Sequence, residues 1–149
     1  VFRRVLVPVD FGACSVQAVT HAFDLVRVIG GSLTLLHVLE EPQAPDGPAE
    51  ARLRQLAERG RRPPTLLVAA PGEHSVAEAI LAAARRVEAE LLVLGPHGGP
   101  DPTVHKLGRV ATEVLLGAHL PVQLVPGAFQ PAPEPGARWR ALAKGEHDA

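Results

Sequence analysis

Four stretches of this chain, residues 4–9, 32–39, 65–69 and 90–94, are apolar almost without interruption, and a shorter fifth spans 121–125. A strand with one wet face alternates apolar and polar residues, whereas a strand covered on both faces does not. The runs are short and rich in Leu and Val, so they are read as strands of a parallel sheet buried between two layers.

Between the runs the period changes from continuous to helical. Over residues 15–29, Val16, Val19, Phe23 and Val26 recur at three- and four-residue steps. Ser75-Val76-Ala77-Glu78 has the form of a capping box and opens a stripe of Val76, Ile80, Ala83, Ala84 and Val87. Residues 108–119 place Val110, Val114, Leu115 and Ala118 on one face, and Pro121 stops them. The segment 49–59 is short and charged, with Leu53 and Leu56 as its buried anchors. The order βαβαβαβαβ predicts an α/β fold: an open, five-stranded parallel sheet with right-handed crossovers and helices on both faces.

A length of 149 residues and a hydrophobic fraction of 46% suit one domain with a real core. Past Pro126 the character changes, with Pro131, Pro133 and Pro135 among glycines. The organisation is therefore a folded domain over 1–126 and a Pro-rich linker and tail over 127–149. Within the tail, 137–144 has the pattern of a short helix using Trp139 and Leu142, though fraying is the favoured state. The formal charge of −1 gives no overall attraction to polyanions, so neither a nucleic-acid nor a membrane partner is expected. The arginines of 52–62 read as a solvated helix face. Cys14 is the single cysteine, and the first apolar run ends at Pro8-Val9-Asp10, too short for a signal core or a span. Both point to a soluble, cytoplasmic protein.

Ligands of open parallel sheets bind beyond the carboxyl ends of the strands, where the connections diverge. Two strand ends here are polar or glycine-rich: Pro8-Val9-Asp10-Phe11-Gly12, and the long loop from Gly95 through His97 and Gly98 to Gly108 and Arg109. The loop is locally basic, with His97, His105, Lys106 and Arg109 against Asp101, and it leads into a helix whose free N–H groups suit a phosphate. Glycine spacing alone leaves a plain connection equally open. Cys14 is placed just before the first helix without an evident base partner, and Ser15 is read as that helix's cap. His37 is read as a packed strand residue. The seven histidines fall in no metal-binding spacing, and Glu73, Glu78 and Asp101 are the acids available as general bases.

Gly95-x2-Gly98-x9-Gly108, with the runs Val5-Leu6-Val7-Pro8-Val9-Asp10, Leu35-Leu36-His37-Val38 and Glu90-Leu91-Leu92-Val93-Leu94-Gly95, resembles the universal stress protein family over residues 2–126. The resemblance implies a Rossmann-like, adenine nucleotide alpha hydrolase-like fold. It implies a stress-response regulatory module binding ATP or another adenine nucleotide with Mg, with slow hydrolysis at most. The nucleotide would meet Asp10 at the ribose–metal region, Val38 at adenine, and Gly95, His97, Gly98, Gly108, Arg109 and Val110 along the phosphates. Asp10 would be the protein's contact to Mg. Dimerisation through the last strand, near Val122 and Val125, is implied as well. The family's hydroxyl residue after the last glycine is replaced by Arg109. Its guanidinium either clamps an outer phosphate or folds inward onto Asp10 and closes the site. In the second case the domain is a non-nucleotide scaffold acting through dimerisation and protein partners.

Overall fold

The computed structural model describes residues 3–72, 74–99, 101, 106–127 and 140–142. Among the described residues five strands and four helices alternate: β1 (Arg4–Pro8), α1 (Ala13–Ile29), β2 (Ser32–Val38), α2 (Pro48–Ala57), β3 (Thr65–Ala69), α3 (Val76–Arg86), β4 (Leu91–Leu94), α4 (Arg109–Gly117) and β5 (Val122–Leu124). All strand pairings are parallel, in the order β3-β2-β1-β4-β5.

Strand periodicity divides the core in two. Val5, Val7, Leu33, Leu35 and Val93 point to one face, where α1 contributes Ala18, Val19 and Ala22 and α2 contributes Leu53 and Leu56. Leu6, Leu36, Leu92 and Leu94 point to the other, against Ala77, Ile80 and Ala84 of α3 and Ala111 and Val114 of α4. Because both faces are covered, the strands need no polar residue on either side, which is why alternation is missing from their sequence. Each fully buried Leu or Ile contributes about 1.5–3 kcal/mol.

The first two crossovers run outward from β1 through β2 to β3. The third returns across the sheet to β4, on the other side of β1. Right-handed connections travelling in opposite directions must lie on opposite faces, so α1 and α2 cover one face and α3 and α4 the other. The loops after β1 and β4 therefore part company above the β1–β4 pair and leave a crevice between them.

Ser75 caps α3 as its sequence foretold, its hydroxyl accepting the Glu78 N–H at 3.1 Å. Helix α1 is different. Its cap is Gly12, and Ser15 lies three residues inside, so the expectation that Ser15 caps this helix is corrected. The strand β5 ends at Leu124, and Val125 is 2% exposed within the chain's own core. The segment 137–144, with its pattern of a short helix and fraying as the favoured state, lies outside the described residues except for 140–142, which carry no helix. Among the described residues no helix is long and apolar enough to cross a membrane.

Candidate functional site

A cleft of about 600 Å³ opens above the carboxyl ends of β1, β2 and β4. Its floor is the loop that leaves β1. Ser15, buried in the first turn of α1, donates its hydroxyl to Asp10 Oδ1 at 2.8 Å, and the Gly12 N–H donates to the same oxygen at 2.7 Å. The Asp10 N–H donates back to the Ser15 hydroxyl at 3.3 Å. These three bonds fix the carboxylate as part of the loop. Ser15 belongs at this position because it orients Asp10, a role that a reading as helix cap missed.

The opposite wall is the loop that leaves β4. Gly98 packs on the Asp10 carboxylate so closely that a Cβ there would stand 2.6 Å from Oδ2. At Gly108 a Cβ would meet the His97 main chain at 3.0 Å. The Gly108 N–H is taken by the Pro96 carbonyl at 2.7 Å, and Thr112 N–H returns to the Gly108 carbonyl at 2.9 Å. Gly108 at the cap of α4 has no side chain to offer, and the N–H groups of the helix's first turn, from Arg109 onward, have no intrahelical acceptor. They open at the end of a cleft whose lining includes Gly108, Arg109, Val110 and Ala111.

All eight residues singled out in the sequence, Asp10, Val38, Gly95, His97, Gly98, Gly108, Arg109 and Val110, line this one cleft. Between its two walls Val38, Val76, Ile80 and Leu94 make an apolar slot on the α3 side of the sheet. His105 lies outside the described residues, as does Glu73. Glu78 pairs with His74 at 3.0 Å and lies outside the cleft lining.

Of the two paths its sequence position left open, Arg109 does not take the inward one onto Asp10. Its Nε donates to Glu113 Oε1 at 2.9 Å, one turn along α4, and its side chain is 89% exposed. The main chain at 109 borders the cleft while the guanidinium rides on the outer face of the helix. Asp10 is held by Gly12 and Ser15, and among the described residues no arginine pairs with it.

Cys14 also differs from expectation. It sits inside the first turn of α1, fully buried, with His97 Nε2 3.5 Å from its sulfur. An imidazole beside the thiol is a partner that linear sequence could not supply, because the two residues lie 83 positions apart. Burial pushes the Cys14 thiol up from its ordinary value and the Asp10 carboxylate adds to that, which makes a resident thiolate unfavourable. The contact serves to seat His97, whose Nδ1 lies 2.9 Å from the Gly98 carbonyl.

Three further lining residues escaped the sequence reading. Phe11 follows Asp10 with φ at 66°, a backbone conformation that bulky residues rarely adopt and that costs about 1–3 kcal/mol. His37 stacks at 4.7 Å from its ring, and the Arg52 guanidinium lies 4.2 Å above it. Arg52 was placed on a solvated face. Its position one turn after Pro48 and Ala49, which also line the cleft, is the signal that marks it as a wall residue.

The sequence profile of the universal stress protein family matches residues 2–126. Among curated proteins there is no significant match. Solved structures of similar shape include universal stress protein UspA from Lactobacillus plantarum, with 21% identity and a TM-score of 0.68 over 83% of this chain and 97% of that one. A universal stress protein from Archaeoglobus fulgidus in complex with dAMP has 19% identity and a TM-score of 0.63, covering 84% of this chain and 98% of that one. A universal stress protein in complex with cAMP has 21% identity and a TM-score of 0.66, covering 85% and 98%. At such identities the structures speak for the fold, and the profile match over residues 2–126 speaks for the family. With the parallel sheet, the crevice beside β1 and the glycine loop after β4 in place, the chain belongs to the universal stress protein family.

Proposed function

We propose that the cleft binds an adenine nucleotide and that the protein is a stress-response regulatory module of the cytoplasm with little or no turnover. The observation that carries the reading is the convergence at one crevice of an uncapped helix N-terminus, a fixed carboxylate and an apolar slot. Phosphate belongs at the first turn of α4, where free N–H groups and the helix dipole favour an anion. A ribose hydroxyl belongs at Asp10, and the adenine ring between Val38 and the α3 side chains Val76 and Ile80. The outward position of Arg109 leaves that arrangement open. Bound dAMP and cAMP in two structures of the same fold support the choice of base.

ATP with Mg is the proposed form of the ligand. Among the described residues no three metal-ligating side chains cluster. Asp10 offers Oδ2 alone, since Oδ1 already accepts two hydrogen bonds. That set fits a magnesium ion that arrives on phosphate oxygens and takes one protein carboxylate, as hard, well-hydrated Mg commonly does. The ion would screen the charge between the phosphates and Asp10.

The proposed assembly is a homodimer through β5, which ends the sheet beside β4. An open edge strand invites pairing, and Leu124 on it and Leu116 on α4 are exposed. Val125 faces the chain's own core, so its contribution to a partner would be limited to the main chain.

The test is nucleotide extracted from freshly purified protein by acid, followed by displacement of a fluorescent adenine nucleotide by AMP, ADP and ATP with and without Mg. Displacement by adenine nucleotides at micromolar concentration, and not by UTP, supports the reading. A protein that carries none and binds none at about 1 mM, roughly −4 kcal/mol, refutes it.

A further inference from the structure

The cleft has a second built feature, on the side of β1 away from α4. Phe11 is held at φ 66°, and a bulky residue keeps so uncommon a backbone only where its surroundings demand it. Behind its ring stands His37, at 4.7 Å between centroids, itself tied by Nδ1–H to the Val9 carbonyl at 2.6 Å. Over the ring lies Arg52, its guanidinium carbon 4.2 Å from the centroid. The strained residue, the imidazole and the main-chain anchor together form a platform that holds one cation at the mouth of the cleft.

That cation has no carboxylate partner among the described residues. Its neighbour Arg54 pairs with Asp46 at 2.9 Å and Glu50 at 3.6 Å, whereas Arg52 forms no ion pair even though Glu40 and Glu41 line the same cleft. A guanidinium laid on an aromatic face keeps its N–H groups free at its edge, in the fork that matches a phosphoryl group. Arg52 comes from α2, which covers one face of the sheet, and the uncapped turn belongs to α4, which covers the other. The two cationic ends of the cleft therefore stand on opposite sides of β1, with Asp10 between them.

We infer that Arg52 is a second anion anchor, which adds affinity for an adenine nucleotide carrying a further phosphoryl group apart from its 5′ phosphates. This inference rests on the nucleotide reading above. A nucleoside 3′,5′-bisphosphate presents that chemistry, whereas a dinucleoside polyphosphate holds all its phosphates in one chain.

Calorimetric titration of the full chain with AMP, adenosine 3′,5′-bisphosphate and a diadenosine polyphosphate tests it, on the native protein, Arg52→Gln and Arg52→Lys. The native chain binds the bisphosphate at least about tenfold more tightly than AMP, and the diadenosine polyphosphate, with its single chain, gains no comparable advantage. Arg52→Gln removes that advantage and leaves AMP within about twofold, while Arg52→Lys, which keeps the charge but not the fork, restores part of it. The inference is overturned if the three ligands bind alike, if the diadenosine polyphosphate gains and the bisphosphate does not, if Arg52→Gln keeps the preference, or if it weakens AMP equally. Those results leave the nucleotide reading standing, whereas silence toward every nucleotide removes both.

Discussion

Arg109 donates through Nε to Glu113 Oε1 at 2.9 Å and so turns away from the cleft that its own main chain borders. The exchange of a hydroxyl for a guanidinium at the helix start therefore changes the surface of α4 more than its anion site. Phosphate would meet the N–H groups of the first turn, which any residue supplies.

From that relationship, Arg109→Ser raises nucleotide affinity modestly, by about the worth of one added hydroxyl donor, roughly two- to tenfold. The pair it breaks is exposed, so stability shifts by no more than about 0.5 kcal/mol. Calorimetry and urea melts on both proteins check this. Binding that appears only in the variant means that the arginine does close the site in solution.

Gly98→Ala separates site from scaffold. Its Cβ would fall 2.6 Å from Asp10 Oδ2, so the carboxylate or the loop must shift. The residue is exposed and its loop carries little core, so the expected outcome is at least about a tenfold loss of nucleotide affinity with a melting temperature close to native. Titration beside a thermal melt reads both quantities. Unchanged affinity means that Asp10 takes no part in binding.

Ser15→Ala removes the hydroxyl that donates to Asp10 at 2.8 Å and leaves Gly12 as the carboxylate's remaining donor. A hydrogen bond to a charged group contributes about 1.5–3 kcal/mol, and denaturant unfolding should lose a comparable amount. Because Asp10 is then held less firmly, by Gly12 without Ser15, affinity falls as well. A variant as stable as the native chain contradicts the role given to Ser15.

The thiol supplies a pH dependence. Burial, reinforced by the Asp10 carboxylate, raises the Cys14 pKa in the folded protein, so the unfolded chain releases that proton first. The associated stability is present below the ordinary thiol value and is lost as pH rises through the folded one. Denaturant midpoints measured from neutral to alkaline pH should fall more steeply for the native protein than for Cys14→Ala. Parallel slopes would place the thiol in a water-like environment, against its full burial.

The sheet was legible because coverage of both faces leaves a mark on each strand, as in Leu35-Leu36 and Leu91-Leu92-Val93-Leu94, where alternation is absent. The two ends of the cleft were legible for a related reason: Asp10 closes an apolar run and Gly108 opens a helix, both local events. What stayed hidden depends on distance along the chain. Cys14 meets His97 across 83 positions, and Arg52 reaches Phe11 only because β1 and α2 share a face of the sheet. Arg109 was ambiguous because a long side chain at a helix start has both the cleft and the next turn within reach, and Glu113 four residues on decides between them.

The central claim, that this crevice holds an adenine nucleotide, is tested most directly by calorimetric titration of the purified protein with ATP in the presence of Mg and again with EDTA. The account predicts one site with micromolar affinity, about −8 kcal/mol, weakened by EDTA and by Gly98→Ala. No heat of binding and no competition at millimolar ATP, from a protein whose fold is intact by circular dichroism, would contradict it.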